Sequence, residues 1–503
     1  MPHPQLDAHE QAHRLIARFL SHQDYQQTLA TFLSEAAAKH PHLRLSAAPV
    51  AEQGEDWNDV LEAYLARKMS QASIDDGDSR IEQMLNQLSV PNDTVPHTVR
   101  TVVKEATNIL NVCKGVLPRK EWDSQALEFK SSTRPCIFTT TVDKTLKVWS
   151  RPSRATSSRN PLELLESHSF PSPVLSFAQH PQRDLQNLVA CATMEGGLVI
   201  LDLVSRQQLV KLRDHSKYIP KVVWAPDGRH LVTLGYDKLI NVYSVSYELA
   251  AAPADSVDSE ESRIALTLVH SLHPRTNPEA AVFLPNSSHL VWTARDDHLL
   301  HYLAFPSSNS TSTDSEQPWK MTDYNLNPNQ DSFTSFSILA LSVHPTLPLL
   351  SLQTSTAAAR IFLYPFHSTT RLRTIHTGAQ QSDYFNPRHA WTAAGDKVVV
   401  NSEDGIVRVC DLTKGGIERL RKGCHGIAAP LADDEDDDDV VDAQAVGDEL
   451  RSERAKARRE RDRGSSVVRD VEIVELEDHS DGTVGSSWVV LSAGFDKTVR
   501  MII

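Results

Sequence analysis

The sequence predicts an all-β fold, a seven-bladed β-propeller, preceded by a small α-helical module. Three observations carry that prediction. First, two short β-prone apolar runs recur around a tight turn. They read CIFTTTVDKTLKVW to Trp149, LVACATMEGGLVIL to Leu201, LVTLGYDKLINVY to Tyr243 and LVWTARDDHLLHYL to Leu303. A degenerate LLSLQTSTAAARIFLY to Tyr364, VVVNSEDGIVRVC to Cys410 and WVVLSAGFDKTVRMI to Ile502 follow. Turns rich in Asp, Gly and Lys between such runs are hairpin chemistry. Second, the turn positions Asp143, Glu195, Asp237, Asp297, Ala358, Asp404 and Asp496 are 52, 42, 60, 61, 46 and 92 residues apart, a period that indicates propeller blades. Third, ahead of the repeats the apolar period changes from that of strands to that of helices.

Four residues before the turn acid stand Thr139, Thr233, Thr293 and Ser492. With these, the repeats resemble the WD-repeat family over roughly residues 108–503. The resemblance implies a buried hydrogen-bond chain joining the turn Asp, a strand Ser or Thr, a His of the incoming loop and a Trp six residues past the Asp. Asp237, Thr233 and His215 match three of these positions, with Tyr243 where Trp would stand; Trp149 is the one Trp at its site, beside Asp143 and Thr139. Asp297, Asp404 and Asp496 take the acid's place in three further blades. A buried carboxylate has to be fully paired, and once paired it holds one blade geometry. His168 and His344, at other loop entries, read as structural hydrogen-bonding residues as well.

The last hairpin ends on a third strand, so an upstream segment is expected to close the ring and cover the open edge. Residues 107–118 (TNILNVCKGVLP) are apolar enough for that role, the alternative being the tail of a helix that runs from Val99.

At the N-terminal end, Leu15, Ile16, Phe19 and Leu20, then Tyr25, Thr28, Leu29 and Phe32, recur at helical spacing. On these residues, with Glu35, the segment resembles the LisH (lissencephaly-homology) motif, although Asp24 replaces its usual Gly. That resemblance implies homodimerisation through Leu15, Ile16, Phe19, Leu20, Tyr25, Leu29 and Phe32. Helices this short do not bury an apolar face alone, which also leaves open a hairpin packed on its own chain. Residues 56–69 carry Val60, Leu61, Tyr64 and Leu65 on one helical face, and QGEDWNDVLEAYL resembles the start of a CTLH element; Ile81, Met84, Leu85 and Leu88 make a further stripe. The expected organisation is a LisH-type motif at 6–38, a helical connector at 39–106 and the propeller at 107–503.

Net charge is −14, much of it local: ADDEDDDDVVD at 432–442 is followed by RSERAKARRERDR at 451–463. Such blocks do not offset the entropy of ordering, so a solvated insertion is expected over about 427–466. Nucleic acid is a poor fit to KARRERDR, because Glu460 and Asp462 interrupt it beside an acidic run. Residues around 251–261 and 306–330 read as further loop insertions. The five cysteines are scattered with no CxxC pair, and no run reaches the 18 or so apolar residues that span a bilayer. A start without an apolar leader core and this cysteine usage point to an intracellular, reducing compartment.

No nucleophile elbow, phosphate loop or zinc-protease helix is present, so no catalytic, cofactor or metal residues are assigned and the chain reads as a non-enzyme. The expected function is a scaffold that pairs through the N-terminal motif and holds partner proteins on the propeller. Residues just before the turn acids, Val142, Tyr236, Asp296, Glu403 and Phe495, are expected on one rim, joined by Tyr218. Exposed aromatics carry much interface energy, which singles out Tyr218, Tyr236 and Phe495. The LisH-plus-WD layout occurs in ubiquitin-ligase subunits, chromatin corepressors and a dynein regulator, so the resemblance implies one of these assemblies, the ubiquitin-ligase subunits ranking first because of QGEDWNDVLEAYL. A small-ligand or catalytic propeller would instead show convergent charged groups in the central channel.

Overall fold

The computed structural model describes residues 17, 20, 26–39, 77–88, 98–123, 128–152, 162–249, 262–306, 319–327, 331–334, 336–357, 359–382, 385–412, 417–419, 424–425, 466–476 and 487–503. Chain contacts divide it into two units, Met1–Arg80 and Ile81–Ile503.

In the first unit, helix α1 (Gln26–Lys39) places Leu29 and Ala36 inside, with Phe32 and Leu33 half-buried between them. The spacing of 3, 4 and 7 residues is an apolar helical stripe. Residues 17 and 20 are also helical, Ala17 buried and Leu20 half-buried. Leu15, Ile16, Phe19 and Tyr25 lie outside the described residues, as do residues 56–69 and the charged segment at 427–465.

The second unit is a seven-bladed propeller of four-stranded antiparallel sheets. The strands of blade one, innermost first, are Ile109–Asp123, Glu128–Thr141, Thr145–Ser150 and Leu164–Ser169. Blades two to six begin on Val174–Gln179, Lys221–Trp224, Pro278–Phe283, Ile338–Val343 and His389–Trp391. Blade seven runs Val468–Leu476, Ser487–Gly494 and Thr498–Ile502, and its outermost strand is Val99–Lys104.

This last strand corrects the expected closure. The ring is closed by residues 99–104, paired from Val99↔Ile502 to Lys104↔Thr498 and locked by Thr98 and Ile503, which exchange two backbone bonds of 2.8 Å. Residues 107–118 instead enter the innermost strand of blade one, and Val99 starts a strand, not a helix. The propeller therefore begins about eight residues earlier than expected. In VRTVVK, Val102 and Val103 are both buried, the β-branched pair that anchors the strand to its blade.

Because each blade lies between two others, its middle strands are buried on both faces. Leu188–Thr193, Leu349–Thr354 and Lys397–Val400 are buried at every residue, which is why they read as continuous apolar runs. The helical residues 81–86 pack Leu85 into the core between blades five and six, against Leu349, Ile361 and Val398, with Ile81 and Leu88 beside it. Met84, assigned to the same stripe from its spacing, is about half exposed on the other side. Among the described residues no helix is long and apolar enough to cross a membrane.

Candidate interaction face and central channel

The turn networks show how the blades are pinned. In blade three, His215 Nδ1 meets Asp237 at 3.0 Å and its Nε2 meets Thr233 Oγ1 at 2.8 Å. Tyr243, standing at the Trp position, donates to Asp214 at 3.0 Å. Blade seven repeats the arrangement: His425 lies 2.9 Å from Asp496 and 2.8 Å from Ser492. Sequence reasoning missed His425 because the insertion places it 71 residues before its acid, against 22 in blade three. Burial by itself raises both carboxyls. The bonds from His215 and from the Ser216 and Leu239 N–H groups together outweigh it on Asp237, as those from His425 and Thr498 with the charge of Arg500 do on Asp496, and both groups stay below the usual carboxylate range.

The other blades depart from that pattern. In blade one, Trp149 donates to Thr139 at 2.8 Å, but Asp143 is exposed and bonds to Thr141 and Thr145, so the acid and the Thr–Trp pair are separate. In blade four, Thr293 donates to the Ile338 carbonyl of blade five at 3.0 Å, and Asp297 meets His301 at 3.1 Å. The left-handed residue explains this slip: it follows the acid at Lys144, Lys238 and Lys497, but in blade four it is Asp296, ahead of Asp297. In blade six, buried Arg408 grips Asp404 with both guanidinium arms, at 3.0 and 2.5 Å. His301, Arg408 and Arg500 all stand four residues past the turn acid, where the third strand brings a cation back over it. Blade five's Ala358 lies outside the described residues, and Glu195 of blade two is exposed.

On the rim, Val142, Met194 and Phe495 are 45, 57 and 41% exposed. They hold one position in blades one, two and seven, which adjoin, and so form an apolar arc. Met194 was not among the rim residues read from the sequence, although it stands before Glu195. Phe333, 72% exposed, follows from blade four, where neighbouring Thr334 bonds to the Asp296 carbonyl. Asp296 is exposed, and Glu403 accepts a 2.6 Å bond from Ser382. Tyr218 and Tyr236 stack at 4.3 Å, and the Tyr236 hydroxyl donates to Glu279 at 2.7 Å. They are half-buried at the channel mouth and are not free anchors.

Bulges recur near the start of the innermost strands, at Leu110, Leu175, Glu279, Leu339 and Arg469. A bulge re-aims a side chain, and here the result is a cavity of about 170 Å3 in the channel mouth. Blades two to seven all contribute to its wall through Leu175, Pro220, Glu279, Leu339, Asn386 and Arg469, with Tyr218, Tyr236, Arg295 and Phe385 completing it. Just below, the channel carries Lys221, Arg388 and Asp470. Burial and the neighbouring Arg388 bring the Lys221 ammonium down to about 8; burial lifts the Asp470 carboxyl despite Arg388. The five cysteines form no disulfide, and among the described residues no cluster of His, Cys, Asp and Glu suits a metal ion.

Residues 206–244, the hairpin with His215, Thr233 and Asp237, match the WD40 family, "WD domain, G-beta repeat". This chain carries a WD40 repeat. A similar protein is a subunit of chromatin assembly factor 1 from Gallus gallus, 25% identical over 113 residues. That match spans 22% of this chain and 20% of the relative's length.

Proposed function

We propose that the protein is a non-catalytic scaffold that holds a partner protein on the strand-turn face of its propeller. The observation that carries this reading is the arc of Phe495, Val142 and Met194, whose exposed apolar side chains share one edge. Such a patch is characteristic of an interaction surface. WD40 propellers serve typically as interaction platforms, which supports the assignment.

The N-terminal unit is proposed as the pairing element, its seam formed by Leu15, Ile16, Phe19, Leu20, Tyr25, Leu29 and Phe32. Pairing presents two propellers, so a weak face contact gains avidity toward an assembled partner. Of the three assemblies that the layout suggests, the similarity to a component of a chromatin assembly factor favours a nuclear chromatin complex. The ubiquitin-ligase reading rests on QGEDWNDVLEAYL alone, which lies outside the described residues.

The test is affinity purification with mass spectrometry of the full chain beside a Val142→Asp, Met194→Asp, Phe495→Asp variant. These positions are exposed, so the variant is expected to melt as the wild type does and to lose the specific partners. Recovery of the same partners in the same yield would exclude this face as the platform.

A further inference from the structure

The central channel holds three cations, Lys221, Arg388 and Arg469, gathered around one carboxylate, Asp470, whose charge favours theirs without a hydrogen bond or ion pair to any of them. Lys221, Arg388 and Asp470 occupy one layer of the innermost strands, opposite Leu234, Asn401 and Ala493 of the second strands. Arg469 stands one residue above, in the wall of the cavity. Among the described residues, no hydrogen bond or ion pair reaches the side chains of Lys221, Arg388 or Arg469. The nearby carboxylates are already engaged. Asp470 accepts the Val112 and Val471 N–H groups at 2.9 and 3.0 Å, and Glu279 accepts Tyr236 and the Arg295 guanidinium at 2.7 and 2.6 Å. Asn111, Ser176, Ala280 and Ala340 hold the same layer in blades one, two, four and five, so the cations there face mostly small or neutral side chains.

Enclosed cations are costly, and clustering three of them around a single carboxylate costs more. Burial, with Arg388 close by, lowers both the Lys221 ammonium, to about 8, and the Arg469 guanidinium, to about 10. Each group is therefore held in surroundings that disfavour its charge. Guanidinium forks match the oxygen geometry of phosphate, and Lys supplies a point charge beside them. At roughly 30 Å3 per water, the cavity has room for about six waters, the scale of a phosphate or pyrophosphate and too small for a large cofactor.

We propose that the channel is a binding site for a small phosphate-class oxyanion, held by Arg469 at the mouth and by Lys221 and Arg388 below it. It lies inside the ring and does not depend on the rim residues, so either assignment can fail alone.

The experiment is isothermal titration calorimetry of inorganic pyrophosphate into the full chain at fixed ionic strength, with thermal melting in parallel. One-to-one binding and a raised Tm are expected, with Arg469→Gln and Arg388→Gln each weakening binding at least tenfold. Lys221→Met is the second variant, in case an arginine change unfolds the protein. It removes an enclosed charge, so its ligand-free Tm should match or exceed that of the wild type while its response to pyrophosphate falls at least tenfold. Displacement of pyrophosphate by a phosphoserine tetrapeptide would identify a phosphorylated side chain as the source, and binding of pyrophosphate without displacement a free oxyanion. No binding to the wild type, or equal binding in the wild type and Lys221→Met, overturns the proposal.

Discussion

Gly235 lies against the imidazole of His215 so closely that a Cβ added there would overlap both Nδ1 and the Asp237 carboxylate. Gly494 stands in the same relation to His425 and Asp496. A glycine two residues before the acid is thus the steric condition for a histidine to dock on it. Blade one has Thr141 at that place, and its hydroxyl bonds to Asp143 itself.

Gly494→Ala and His425→Ala should accordingly damage one network. Each is expected to cost about 1–3 kcal/mol, the range for leaving a buried partner unsatisfied. Combined they should cost much less than their sum, because both remove the same bonds. Urea unfolding of the two single variants and the double variant measures this, and simple additivity would separate the glycine from the histidine.

In blade six the Arg408–Asp404 pair is buried on both sides, each side chain 3% exposed. Arg408→Met alone should cost about 3–5 kcal/mol, since it strands a buried carboxylate. Adding Asp404→Leu should restore part of that loss. A double-mutant cycle in chemical denaturation checks the sign of the coupling.

Closure makes a sharp comparison. A chain starting at residue 89 keeps Val99–Lys104, whereas one starting at residue 106 exposes the edge of Thr498–Ile502 with its N–H and C=O groups unpaired. The second truncation should melt well below the first or fail to fold. Similar melting of the two would show that the ring closes without its upstream strand.

The acid limb of stability should reflect the turn carboxylates. Asp404 is buried and Asp237 and Asp496 are half-buried, yet their hydrogen bonds and charged partners hold them below the usual range. Their folded forms bind protons less readily than the unfolded chain, whose Asp titrates near about 3.9. The stability they contribute is complete above that value and is lost as pH falls through the folded pKa. Asp470 and Glu279, raised by burial, act in the opposite sense, so the comparison has to be between variants. Asp496→Asn should melt lower than the wild type at pH 7, and the difference should shrink toward pH 3.

Self-association tests the N-terminal unit. Phe19→Glu with Leu20→Glu should halve the mass measured by sedimentation while the melting of the propeller stays unchanged. A wild-type chain that sediments as a monomer at micromolar concentration would remove pairing from the mechanism.

The sequence by itself determined the blade count and the hairpins. Two apolar runs around an Asp-rich turn are a local pattern, repeated because every blade buries its middle strands between two neighbours. It also marked the acids that sit in turns. His215 and Thr233 were legible beside Asp237, but the partners of the other acids were decided only by tertiary structure. His425 reaches Asp496 across a long insertion, Arg408 replaces a histidine from the following strand, and Asp296 shifts the turn so that Thr293 bonds to the next blade. Closure belongs to the same class: residues 99–104 and 107–118 are both β-prone and apolar, and only the register of blade seven against Ile502 distinguishes the outer strand from the next blade's first. The cation cluster in the channel was hidden for a related reason. Lys221, Arg388 and Arg469 come from different blades and meet only when the ring closes, because a propeller brings together the starts of its innermost strands, which sequence spacing keeps far apart.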